Sequence, residues 1–270
     1  MEPILRKMSP ADIPGGMRLS RASGWNQLEE DWRTIVECPG GGAWLLERDA
    51  VVIGTAAVMR YDRLAWIAMM LVDPAERRAG HGARLLAEAM AAARSAPCVG
   101  LDATPAGEPL YRKFGFAEDY SLVRMKAVGF TASASRARPM TAGDLEWVCQ
   151  MDREVFGADR GALLASLLER APECARVVEG SGYCFGRPGR LFHELGPVVA
   201  ANVETARDLV ASAAVHPMVV DVPRFHSSWI EWLKAGGFVE ERPLLRMFLE
   251  GHHHPGTPSR QYTICGPEFA

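Results

Sequence analysis

The stretch VDPAERRAGHGARLL, Val72 to Leu86, sets two arginines against two glycines between an apolar run and an alanine-rich segment of helical periodicity. The run WIAMMLV reads as a strand that Pro74 ends, because proline has no amide to give a sheet. The helix is expected to begin near Gly82. Amides of a helix's first turn have no intrahelical partner, and with the helix dipole they form a site for an anion, most naturally phosphate or pyrophosphate. Gly80 and Gly82 remove side chains that would hold such a ligand off the backbone, and Arg77 and Arg78 add charge at the rim. The alternative is a solvated turn with two incidental arginines. A dinucleotide fingerprint fits worse: GHGARL lacks the third glycine, and no partner acid follows the next strand.

Other candidate chemistry is weaker. Cysteines at 38, 98, 149, 174, 184 and 265 form no CxxC pair, which suits buried thiols in a reducing compartment. His252, His253 and His254 precede Pro255 without a second ligand cluster, so no metal is expected. Asp221, His226 and Ser227 lack the nucleophile elbow of a hydrolase. Trp229, Trp232 and Leu233 read as core rather than as a base-stacking platform. The net charge of -3 gives no electrostatic reason to bind nucleic acid or an anionic membrane. No apolar run reaches the roughly 18 residues of a membrane span, and no signal peptide is evident at the N-terminus. These features point to a soluble cytoplasmic protein.

The elements that must position the loop follow in order. ILRKM is a strand, PADIPGGMRLSR and QLEEDWRTIVEC are helical, and residues 41 to 72 break into three strands at the turns RDA and YDR. In the next helix Leu85, Leu86, Ala89, Met90 and Ala93 form one apolar stripe. CVGLDA is a buried strand, GEPLYRKF a short helix and AEDYSLVRMKAV a closing strand.

The same order recurs. FGFAEDYSLVRMK aligns without a gap on GGFVEERPLLRMF, so that Gly115 and Gly237, Phe116 and Phe238, Arg124 and Arg246, and Met125 and Met247 are each 122 positions apart. MSPADI also resembles MTAGDL, with Ser9 or Thr141 as helix N-cap and an acid three residues on. With 270 residues available, the expectation is an α+β chain of two similar domains, 1–128 and 140–270, joined by a linker at 129–139. Each would be a mixed, mostly antiparallel sheet flanked by helices.

V-x-P-x-x-R-x-x-G-x-G, followed by a helix and then by LY-x-x-x-GF at Leu110, Tyr111, Gly115 and Phe116, resembles the Gcn5-related N-acetyltransferases, the GNAT family. RASGWNQLEEDW with LDATPAGEPLY resembles a bacterial subgroup whose C-terminal half is a second, degenerate GNAT-like domain. The resemblance implies acetyl-CoA as cosubstrate, its pyrophosphate on the amides of Arg78, Ala79, Gly80, His81, Gly82 and Ala83, with Arg77 and Arg78 assisting. The pantetheine arm would run along Met70, Leu71 and Val72, where a backbone amide would stabilise the oxyanion. Thr104 stands where the family often has a cofactor-contacting Asn.

A primary amine would attack directly, and Tyr111 would give the leaving thiolate its proton, since a phenol with pKa about 10 is protonated at neutral pH. Packing on an amphipathic helix is the other role open to Tyr111. The family's strand-four glutamate has no counterpart in WIAMML, which leaves Asp73, Asp102, a water or a group from the other half as base. Trp25, Asn26 and Gln27 fall where this fold places its acceptor pocket, although Asn26 could instead cap the helix that follows.

Leu233 replaces Tyr111 in the second copy, whose counterpart of the loop, Leu195 to Val210, has no R-x-x-G-x-G and carries Glu204 at a helix start. One acyl-CoA site per chain is expected, with the second domain closing the acceptor pocket and supporting the sheet; a regulatory ligand site there is the other role open to it. That enclosure favours a small-molecule amine over a protein, in a monomer or homodimer. The competing function is a sensor that binds acyl-CoA without turnover.

Overall fold

The computed structural model describes residues 2–130, 136–251 and 253–270, so part of the expected linker and His252 lie outside the described residues. Strands β1 (Ile4–Lys7), β2 (Gly41–Arg48), β3 (Val51–Arg60) and β4 (Leu64–Val72) pair antiparallel in sequence order. Helices α1 (Ile13–Ala22) and α2 (Glu29–Glu37) intervene between β1 and β2. Helix α3 (His81–Ala93) carries the chain to β5 (Cys98–Ala103), which lies parallel to β4, as a crossover helix permits. Short α4 (Glu108–Lys113) and long β6 (Phe116–Ala127) complete the first copy. The stripe read from the sequence is the buried face of α3: Leu85, Leu86, Ala89 and Ala93 all pack inward.

The second copy runs β7 (Arg138–Pro139), α5 (Leu145–Phe156), α6 (Gly161–Arg170), β8 (Arg176–Val178), β9 (Gly182–Arg187), β10 (His193–Ala200), α7 (Val203–Ala213), β11 (Met218–Pro223), α8 (Ser227–Ala235) and β12 (Val239–Leu249), with a further strand, β13 (Gln261–Thr263). Both copies open alike. Ser9 N and Oγ donate to Asp12, Thr141 N and Oγ to Asp144, and each aspartate is gripped by an arginine, Arg6 or Arg138. Trp229 and Leu233 are buried, and Trp229 stacks on Trp232. Among the described residues no helix is long and apolar enough to cross a membrane.

The two copies share one sheet and exchange their closing strands. Its order is β1-β2-β3-β4-β5-β12-β6-β11-β10-β9-β8-β7, with β13 on β10. Thus β12 of the second copy adds to β5 of the first, while β6 adds to β11, and the two long strands pair with each other from Val239↔Lys126 to Leu249↔Phe116. Residues of the second copy thereby reach the C-terminal end of β5, where a cleft opens.

Candidate active site

Strands β4 and β5 pair only from Leu64↔Cys98 to Trp66↔Gly100 and then splay apart. Beyond the split, β4 bulges. The register against β3 passes from Ala57↔Ala68 to Thr55↔Leu71, Met69 adopts φ +50°, and Thr55 Oγ1 donates to the Met69 carbonyl at 2.8 Å. A bulge takes backbone groups out of the ladder and turns them toward a neighbour. The cleft that fills the splay has a volume of about 710 Å³, with Met70, Leu71 and Val72 along one wall and Thr104 and Tyr111 along the other.

One end of the cleft is the loop before α3. Arg78 has φ +68° and Gly80 φ +82°, a conformation that glycine alone adopts without strain. Gly80 is the residue before the helix and supplies no side-chain cap, and the first intrahelical bond runs from Arg84 N to the Gly80 carbonyl at 3.1 Å. The amides up to Ala83 therefore have no intrahelical partner. A Cβ on Gly80 would meet nothing within 4 Å, so the space over this turn is open. Arg77 Nε donates to the Val72 carbonyl at 3.3 Å, and both Arg77 and Arg78 line the cleft. His81 also lines it, beside Glu76, whereas Ala79 and Ala83 do not. The helix begins one residue earlier than its sequence suggests.

Tyr111 sits opposite on α4. Its ring is 7% exposed, meets Phe116 edge-on and packs so closely on Gly107 that a Cβ there would come within 2.9 Å of Cε2. Burial pushes its phenol pKa above the ordinary value of 10.0, so it stays protonated well past neutrality. Thr104 holds the turn before α4: its carbonyl accepts from Gly107 and Glu108, and Oγ1 accepts from Gly107 N at 3.3 Å.

Of the acceptor trio, Trp25 and Gln27 line this cleft. Asn26 is committed elsewhere: Nδ2 donates to the Phe192 carbonyl at 2.9 Å, and Oδ1 accepts from Leu191 N and Phe192 N. It ties the first copy to the second and does not cap α2, whose N-cap is Leu28. Asp73 is held by Arg18 and Ala75 N, and Asp102 by Arg246, so neither carboxylate is free. Among the lining residues that sequence reasoning missed, Arg242 and Leu244 come from β12, and Pro267 and Glu268 from the segment after β13. No local motif marks them; they reach the cleft through the strand exchange and the path of the last residues.

The second copy has the same splay, and the chain itself fills it. Strands β10 and β11 pair only at His193 and Glu194, after which β13 enters between them. It pairs with β10 through Val198↔Thr263, and Ile264 N donates to the Asp221 carbonyl on β11 at 3.0 Å. Two residues separate β10 from helix α7, whose Asn202 N-cap side chain accepts from Thr205 N and whose first turn carries Glu204. A capped amide and a carboxylate stand where α3 leaves amides open. From β13 the chain crosses to the first copy, where Trp66 Nε1 donates to the Pro267 carbonyl and Tyr61 Oη to the Phe269 carbonyl, both at 2.9 Å. Among the described residues no group of three His, Cys, Asp or Glu side chains is placed to hold a metal.

Two family models, both described as acetyltransferase (GNAT) domains, match the chain at residues 39–118 and 148–263. The chain belongs to the GNAT acetyltransferases and carries their fold twice. It is similar over 256 residues, at 25% identity, to YitH of Bacillus subtilis (strain 168), named an uncharacterized N-acetyltransferase, covering 89% of this chain and 90% of that protein. A holothin acyltransferase from Pseudoalteromonas sp. (strain SANK 73390) is 26% identical over 208 residues, 73% of this chain and 70% of that protein. The crystal structure of a putative acetyltransferase from Pyrococcus horikoshii superposes with a TM-score of 0.85 at 22% identity, over 100% of this chain and 96% of that one, and so shares the fold.

Proposed function

We propose that the chain transfers an acetyl group from acetyl-CoA to the primary amine of a small molecule, at one site per chain. Residues 1–128 supply the acyl-CoA site, and residues 140–270 close the acceptor side. The observation that carries this reading is one continuous cleft, with the open amides of α3 at one end, the β4 bulge in the middle and the buried phenol of Tyr111 facing it.

The residues fit acetyl-CoA by their own chemistry. Open amides from Arg78 to Ala83, with the arginines beside them, suit a pyrophosphate. The splayed edge at Met70 to Val72 offers backbone groups to an extended amide-bearing arm. The thioester supplies an activated acyl group. The chain's residues then hold it beside the bulge, where backbone dipoles oppose developing negative charge on the carbonyl oxygen. Tyr111 keeps a proton available for the departing sulfur, and Trp25 walls the acceptor. Filling of the second splay by β13, with Leu233 in the place of Tyr111, supports a single site. The names of the two relatives, an N-acetyltransferase and an acyltransferase, agree with acyl transfer.

Calorimetric titration of acetyl-CoA tests this reading, beside an Arg77→Ala, Gly80→Glu variant. The expected result is about one molecule bound per chain, lost in the variant because a carboxylate then faces the amides. Two per chain would overturn the single site, and no binding would overturn the acyltransferase reading. An acyl-CoA sensor would bind but release no free CoA with any amine.

A further inference from the structure

The acceptor side of the cleft carries hydrogen-bonding capacity that the protein does not use. Arg242, on β12, is half-buried and lines both the main cleft and an adjoining cavity of about 220 Å³, which meet at Ser23, Trp25 and Arg242. It therefore stands on the side of Trp25, apart from the loop before α3. Buried Arg124, Arg160, Arg187 and Arg246 each grip a carboxylate. Arg242 alone of these five has a side chain with no ion pair and no hydrogen bond among the described residues. Burial, and then the neighbouring charge of Arg124, lower its pKa, as befits a cation without a close counter-ion.

Two residues of the same cleft wall each carry a buried acceptor atom without a partner. Glu268 is 2% exposed; Arg187 holds its Oε1, and its Oε2 has no partner. Gln27 is 6% exposed, and its Oε1 has none either. Buried polar atoms are normally satisfied, so an unpaired cation in the cleft, with two unpaired acceptors on residues of its wall, points to a ligand that brings the missing groups. The ligand brings one negative group for Arg242 and N–H donors for Glu268 and Gln27. One unpaired arginine matches a monoanion better than a phosphate dianion, and its planar fork matches the two oxygens of a carboxylate.

We propose that the acceptor is a primary amine that also carries a carboxylate, an amino acid in the broad sense, with the carboxylate on Arg242 and the amine directed to Glu268 and Gln27. This inference rests on the reading of the cleft as an acyl-transfer site. It makes Arg242 a specificity determinant supplied by the exchanged strand.

The test measures CoA release from acetyl-CoA with a panel of amino acids, α-amino and ω-amino, each beside its own carboxamide. At least one acid should exceed its carboxamide by about 10- to 100-fold in kcat/KM, the usual worth of a hydrogen-bonded charge pair. Arg242→Gln should bring that ratio to within about threefold, while Arg242→Lys keeps part of it. Titration of the preferred acid into the CoA-saturated protein should give heat that Arg242→Gln abolishes, and one acetyl-CoA bound per variant chain establishes that the variant is folded. Carboxamides used as well as acids, no turnover of either, or a ratio unmoved by Arg242→Gln would overturn the inference while acetyl-CoA binding still stood. Failure of the unmodified protein to bind acetyl-CoA would remove the underlying reading, and this inference with it.

Discussion

Arg246 stands directly across from Asp102 in the register of β12 and β5, and its Nε and Nη2 donate to the two carboxylate oxygens at 2.9 and 2.8 Å. Arg124 faces Asp221 in the same way between β6 and β11, at 2.8 and 2.6 Å. The two arginines are equivalent positions of the repeat, so each closing strand is fastened to the opposite copy by the same pair. Both pairs are buried, and removal of one partner leaves a charge stranded without water.

Arg246→Met is therefore expected to lower unfolding free energy by about 3–5 kcal/mol in urea denaturation. Adding Asp102→Leu to it should restore part of the loss, because the stranded carboxylate goes too. Exchange of β6 and β12 further predicts a single cooperative transition for both copies. Amide hydrogen exchange should give β4 and β11 the same global opening free energy; two separate values would contradict the shared sheet.

Tyr111→Phe should leave acetyl-CoA affinity within about threefold and lower kcat by about 10²- to 10⁴-fold, the range of a general acid. A measured kcat within a factor of two of the unmodified protein would remove Tyr111 from the chemistry. The pH profile carries a second check. The active phenol is the protonated form, and burial raises its pKa, so it is lost only as pH rises beyond the ordinary value of 10.0. No falling limb from this group should appear in kcat up to that pH; a decline that begins below pH 9 would contradict the phenol as the acid.

Much of this site is legible in the sequence. Gly80 and Gly82 announce the loop because one needs a positive φ and the other lies close under Leu110, and the stripe of α3 follows from unbroken periodicity. The repeat is visible in Gly115 and Gly237, which end helices in both copies with φ of +87° and +102°. The strand exchange is not visible, since β6 and β12 carry the same spacing of Arg and Met and either would suit either neighbour. Arg242 and Glu268 therefore enter the cleft from distant sequence. Strand β13 is three residues long, too short to show a period, yet it fills the second splay. Asn26 illustrates the same limit, for its partners at 191 and 192 lie in the other copy.

Gly107 offers a way to move Tyr111 without changing its chemistry. Its backbone has φ −87°, which alanine adopts freely, so Gly107→Ala acts through the added methyl against the phenol ring at 2.9 Å. The ring has to shift by a few tenths of an ångström or more to relieve that approach. Misplacement on the scale of an ångström costs about 10²-fold in a positioned reaction, so kcat should fall by about 10- to 100-fold. Acetyl-CoA affinity should hold, because the loop before α3 is untouched. An unchanged kcat would mean that the phenol's position is not critical.

Glu194 supplies a prediction about stability and pH. It is buried, 3.0 Å from Arg124, but that arginine already makes two hydrogen bonds to Asp221. One cation thus faces two carboxylates. Burial, opposed by the Arg124 charge, raises the pKa of Glu194 from 4.5 to about 8. The folded protein therefore binds a proton at Glu194 that the unfolded chain has released, throughout the window from about pH 4.5 to about 8. Stability from this group is fully present below 4.5 and is lost as pH rises through the folded value. Glu194→Gln, which mimics the protonated form, should accordingly show its least favourable effect near pH 5. Its difference from the unmodified protein should move in its favour by pH 8, as read from urea midpoints at the two pH values. A difference that stays constant, or moves the other way, would show that Glu194 is ionised in the folded state and shares Arg124 with Asp221.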